Sequence, residues 1–188
     1  MKIFLIGLTG AGKSTIGKLL AAKLSYPFID LDDVIRFETG RTIEDIFEKD
    51  GESHFREIEG IYLRKVATTE DRVIATGGGT PCYNQGMDFI KKNGLSIFLN
   101  TPVEQVTERL YGSGSVQRPM IKGKSKTELH DFLAEKLSER LPFYTKSDFS
   151  IDTTLSETPE KIASMLLVLI HLLEQDKMTD PQQKVNQQ

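Results

Sequence analysis

The stretch Gly7-Leu8-Thr9-Gly10-Ala11-Gly12-Lys13-Ser14 limits what this chain can fold into more than any other feature. It fits the spacing G-x-x-x-x-G-K-[ST], and its surroundings suit it. Residues 1–6 are a short apolar run ending at glycine, while Ile16, Leu19, Leu20 and Leu24 recur at helical spacing. Strand, loop and helix are therefore predicted in that order. Glycines let backbone N–H groups converge on phosphate oxygens, and the helix that follows adds its positive N-terminal end. Lys13 is placed to reach the β and γ phosphates of a nucleotide, and the Ser14 hydroxyl to meet magnesium. Gly10, Ala11, Gly12 and Thr15 complete the expected ATP-binding stretch. Such a cradle serves kinases, ATPases, GTPases and nucleotide-gated switches alike, so the rest of the chain must decide among them.

The remaining pattern alternates strands with helices. Residues 27–31 read as a second strand, followed by a helix that Gly40 stops. A short helix starts near Thr42, and Phe55, Ile58, Tyr62 and Val66 mark a longer one. Residues 73–76 form a buried-type strand that runs into Gly77-Gly78-Gly79. A helix at Met87 and Ile90 and a strand at 96–99 follow, then a helix opening at Thr101-Pro102-Val103-Glu104. Apolar periodicity vanishes over 111–124, which reads as a mobile lid. Ser125 and Glu128 form a capping box for a helix lined by Leu129, Phe132, Leu133, Leu137 and Leu141. A strand at 149–151 and an apolar helix at 162–173 close the pattern. This is the signature of an α/β fold with a parallel sheet covered on both faces.

Size and charge narrow the class. The chain has 188 residues, 38% of them apolar, enough for one domain over 1–175 with a polar tail at 176–188. A net charge of −3 gives no excess positive charge to draw nucleic acid or anionic membrane. The apolar stretch 162–173 is shorter than the roughly 20 residues a membrane span needs. The lone Cys82 cannot form an internal disulfide, which points to the cytoplasm; it reads as a small core filler rather than a nucleophile. His54, His130 and His171 show no ligand spacing.

Two acids end the second strand, Asp30 and Asp32, and alternation along extended chain puts them on one side. Parallel sheets bind ligands at the carboxyl ends of their strands, so both acids are expected near the γ-phosphate. One could orient magnesium and the other accept a hydroxyl proton. Arg56, Gly77-Gly78-Gly79, Arg118-Pro119 and Arg140 complete a set that, with the phosphate loop and in this order, resembles shikimate kinase over about residues 1–173.

The resemblance implies a three-layer αβα fold of the nucleoside-monophosphate-kinase type, with a five-stranded parallel sheet of order 2-3-1-4-5 and an acceptor-binding region over about 32–60. It implies phosphorylation of the 3-hydroxyl of shikimate by ATP with Mg2+, in a monomer. Asp32 would bind the acceptor hydroxyl and act as base, with Ser14 and Asp30 in the magnesium shell. Arg56, Arg140 and Gly77, Gly78 and Gly79 would hold the acceptor, and Lys13 and Arg118 would act on the transferring phosphate. Arg109 and Pro159 are candidates for the two sides of the adenine. Glu59 could hold Arg56 in position, or the two could be an ordinary surface pair. Another small-molecule P-loop kinase, such as a gluconate kinase, and a nucleotide-binding regulator without turnover remain open.

Overall fold

The computed structural model describes residues 1–69, 71–112, 123–153 and 158–179. Among these, five parallel strands form one sheet in the order β2-β3-β1-β4-β5. They are β1 (Lys2–Ile6), β2 (Phe28–Asp30), β3 (Arg72–Ala75), β4 (Leu95–Asn100) and β5 (Phe149–Asp152). In the central strand the side chains alternate between the two faces. Phe4 and Ile6 join one apolar cluster with Ile35, Leu63, Ile74, Phe98 and Tyr144. Ile3 and Leu5 join the other with Ile16, Leu20, Leu99, Leu166 and Ile170. Because the strand is covered on both sides, its sequence is continuously apolar rather than alternating. Truncating a residue such as Leu5, which is wholly buried, costs about 2–5 kcal/mol.

The first cluster is roofed by α2 (Leu31–Thr39), α3 (Ile43–Val66), α4 (Gly86–Asn93) and the end of α6 (Lys126–Tyr144). The second is roofed by α1 (Lys13–Leu24) and α7 (Pro159–Thr179). A smaller cluster of Val106, Leu110, Leu129 and Leu133 joins α5 (Val103–Gly112) to α6. These layers bring the carboxyl ends of β1, β2 and β3 to one edge, where the chain leaves the sheet into α1, α2 and the glycine run.

Several expectations needed correction. Asp32 is not in extended chain: β2 ends at Asp30, and Asp32 lies in the first turn of α2, where its N–H donates to the Asp30 carboxylate at 3.1 Å. Helix nucleation by Asp30 as the cap thus overrides the strand alternation. The short helix near Thr42 and the longer one after it are both present, following each other within α3 across a kink at the non-helical Gly51. The helix α5 begins at Val103, and the Thr101 hydroxyl donates to the Ala11 carbonyl, tying β4 to the phosphate loop. Leu141 is exposed, and Tyr144 takes the buried place on that face of α6. Finally, α7 continues to Thr179, so regular structure extends into the stretch expected to be tail.

Candidate active site

The phosphate loop is built so that its polar backbone faces outward. Gly12, the N-cap of α1, has φ 94°, a left-handed conformation that residues with a Cβ adopt poorly. The cap has no side-chain hydrogen bond, and no acid occupies the first turn of the helix. Helix-end amides that other helices satisfy internally are thus left for an external acceptor, and an anion suits them best. Lys13 is buried, with its ammonium donating to the carbonyls of Gly7 at 2.9 Å and Leu8 at 2.7 Å.

Gly10, Ala11, Gly12, Lys13, Ser14 and Thr15 line a cleft of about 670 Å³, whose wall also includes Arg109 and Pro159. Asp30 lines the same cleft beside Ser14, whose hydroxyl donates to its carboxylate at 2.5 Å. A hydroxyl and a carboxylate in contact are hard oxygen donors of the kind magnesium takes alongside phosphates and water. Among the described residues no cluster of three or more histidine, cysteine or acidic side chains could hold a metal by itself.

A second cavity, about 140 Å³, adjoins the first. Arg56, Arg140, Gly77, Gly78 and Gly79 line it together with Phe47, Phe55, Phe132, Lys136 and Glu44. Thr9, Asp32, Arg36, Gly77 and Gly78 line both spaces, so they mark the boundary between them. Arg36 also pairs with Asp33.

The Arg56–Glu59 pair is no surface contact. The side chains are 8% and 2% exposed, with Arg56 Nη1 donating to Glu59 Oε2 at 2.8 Å. Glu52 accepts from Nη2 at 2.9 Å. The guanidinium is also flanked by the rings of Phe47, Phe55 and Tyr83 at 5.8, 5.1 and 4.6 Å. Burial works to lower the Arg56 pKa, but the charges and hydrogen bonds of Glu59 and Glu52 together raise it. Arg56 is held as a fixed cation. Glu59 in turn accepts from the Thr80 hydroxyl at 2.6 Å, so its orientation is set from β3's exit loop.

The three glycines make room for these charges. A Cβ on Gly77 would lie 2.4 Å from Glu59 Oε1, one on Gly78 2.9 Å from Arg140 Nη1, and one on Gly79 2.6 Å from Arg56 Cζ. None of the three has a positive φ. Their glycine character therefore answers to close approach by Glu59, Arg140 and Arg56 themselves, a reason the sequence could not supply. Arg118 and most of the expected lid lie outside the described residues.

Sequence reasoning did not single out Arg36, Lys136, Thr80 or Tyr144. Spacing offered a signal for two of them: Arg36 is one helical turn from Asp32, and Lys136 one turn from Arg140.

With this geometry in hand, comparison with known proteins is decisive. A family model for shikimate kinase matches residues 9–171. The chain belongs to the shikimate kinase family. It is 41% identical over 174 residues to a shikimate kinase of Bacteroides thetaiotaomicron, covering 93% of this chain and 99% of that one. The crystal structure of a B. thetaiotaomicron shikimate kinase superposes with a TM-score of 0.86 at 39% identity, over 91% of this chain and 98% of the other. The Acinetobacter baumannii shikimate kinase, solved in complex with shikimate, gives 0.82 at 34% identity, over 90% and 92%. A gluconokinase from Sinorhizobium meliloti shares the fold, with a TM-score of 0.58 at 17% identity over 95% and 97%.

Proposed function

We propose that the protein transfers the terminal phosphoryl group of ATP to the 3-hydroxyl of shikimate, giving ADP and shikimate 3-phosphate. The observation that carries this reading is Asp32, a carboxylate on the boundary shared by a phosphate-binding cleft and an arginine-lined cavity. An acceptor seated in the cavity by a carboxylate would present a hydroxyl there.

Loop amides and Lys13 hold the β and γ phosphates, and Arg109 and Pro159 flank the adenine. Ser14 and Asp30 would hold magnesium, which when bound supplies charge neutralisation on the phosphates. Arg56 and Arg140 grip the acceptor carboxylate, for which planar guanidinium groups suit two parallel hydrogen bonds. In the chemical step an O–P bond forms between the acceptor oxygen and the γ-phosphorus. The bond from that phosphorus to the β,γ-bridging oxygen breaks, its electron pair leaves on ADP, and the hydroxyl proton passes to Asp32. A positioned base of this kind contributes roughly 10²- to 10⁴-fold, while much of the remaining catalysis is alignment and charge stabilisation.

The same reading makes the protein a monomer working in the cytoplasm on small molecules, without nucleic acid or membrane. Its support is the absence of excess positive charge and the single cysteine. No described helix is long and apolar enough to cross a membrane.

A coupled ADP-release assay with shikimate and gluconate in parallel tests the proposal. Magnesium-dependent turnover with shikimate is expected. Turnover with gluconate alone would transfer the chain to another kinase activity, and ATP binding without turnover of either acid would make it a regulator.

A further inference from the structure

Tyr144 is a polar residue with no place in the chemistry above, yet it is wholly buried beside the acceptor cavity. Its ring packs against Phe98 with centroids 5.1 Å apart. Its hydroxyl donates to the carbonyl of Gly78 at 2.5 Å, joining the last turn of α6 to the loop after β3. Arg140 lies one helical turn earlier on the same face of α6. Burial raises the tyrosine pKa, and the nearby Arg140 charge opposes it without overcoming it. The hydroxyl therefore keeps its proton and stays a donor. The Arg140 guanidinium also sits 2.9 Å from where a Gly78 Cβ would be. The tyrosine hydroxyl and the cavity-lining cation thus meet at one residue, Gly78.

We propose that Tyr144 is a positioning residue for the acceptor: it fixes the Arg140 guanidinium against the Gly78 backbone so that the acceptor carboxylate meets a preset cation. The proposal rests on the reading of shikimate as acceptor. Without the hydroxyl, Arg140 keeps its charge and its helix, but its orientation toward the cavity is no longer tied to the glycine loop. Acceptor binding weakens most, while the phosphate-loop amides and Lys13, which hold the nucleotide at the start of α1, are not in contact with this hydroxyl. Arg140 already lines the cavity, whereas Tyr144 acts only through it and through Gly78.

The test is Tyr144→Phe, which preserves the ring packing and removes only the hydroxyl. Full kinetics on both substrates, with Arg140→Ala and the double variant alongside, separate the possibilities. Because KM reads only the folded fraction, partial loss of folded protein does not obscure the result. Expected are an acceptor KM raised about tenfold, an ATP KM within about twofold of wild type, and a double variant little worse than Arg140→Ala alone. Phe98→Leu, which loosens the same packing but keeps the hydroxyl, is expected to lower the melting temperature without changing the ratio of the two KM values. An unchanged acceptor KM in Tyr144→Phe, equal rises in both KM values, the same acceptor effect from Phe98→Leu, or strict additivity with Arg140→Ala would each overturn the proposal. Absence of shikimate turnover in the wild-type protein would instead defeat the reading on which it rests.

Discussion

The nucleotide cleft and the acceptor cavity adjoin, but they are made of different material. The phosphate-binding end of the cleft is largely backbone, contributed by one unbroken stretch over residues 9–16 whose amides need only the correct turn and a helix to follow. The acceptor cavity is made of side chains brought from α2, α3, the loop after β3, and α6, and these charges hold one another in place. A backbone cradle is specified locally and tolerates change around it. A cavity of interlocked charges is specified by the whole fold, so a single methyl group can disturb it.

Asp32 stands where the two regions meet, and its loss is expected to have the largest effect. Asp32→Asn keeps the shape and the start of α2 but cannot take the acceptor proton, so kcat falls roughly 100-fold or more. ATP affinity, measured by equilibrium titration, stays near wild type. Wild-type kcat in this variant would move the base elsewhere and remove the chemical meaning of the shared boundary.

Gly79→Ala tests the contrast directly. The added Cβ would meet the Arg56 guanidinium at 2.6 Å, and the arginine is held by Glu59, Glu52 and the rings around it, with little freedom to withdraw. The acceptor KM should rise by a few tens of fold with an unchanged ATP KM, since displacing a buried charge-to-charge contact costs about 2–5 kcal/mol when complete. Arg56→Lys is milder. It retains a positive charge but loses the fork that serves Glu59 and Glu52 at once, so an acceptor KM about tenfold higher is expected. Equal effects of either change on both substrates would show that the regions are not independent.

The same contrast explains what could be read from sequence. The phosphate loop was legible because its determinants are contiguous: Gly12, Lys13 and the apolar spacing of Ile16 and Leu20 each announce a local geometry. Sheet order and the identity of Arg56 and Arg140 came through resemblance, since no spacing along the chain says that residues on α3 and α6 face one cavity. Strand alternation was the ground for placing Asp32 at the strand ends, and the molecule does not use it; helix capping by Asp30 sets Asp32 on the wall shared by the two spaces. Thr80 and Tyr144 escaped notice because their importance lies in a tertiary partner, Glu59 and Gly78 respectively, and a lone threonine or tyrosine carries no such information.

Cys82 supplies the smallest expected effect and marks the limit of the acceptor region's chemistry. It follows the glycine loop, half-buried, with Arg56 and Arg140 near enough to favour a thiolate. Burial opposes them and is the larger influence, raising the thiol from 9.0 to about 11. At pH 8 the native thiol therefore stays protonated and reacts slowly with a disulfide reagent, whereas unfolded protein reacts at the ordinary rate. Since the raised pKa belongs to the folded state, the stability it contributes is fully present below about pH 9 and is lost as pH rises through about 11. Cys82→Ala should leave kcat and both KM values within about twofold, because the arginines act on the acceptor through charge and geometry and have no need of a nucleophile. Rapid thiol labelling of native protein at pH 8, or a large loss of turnover in Cys82→Ala, would mean that the cavity's charges activate this sulfur, and the acceptor side would then hold more chemistry than a positioning device requires.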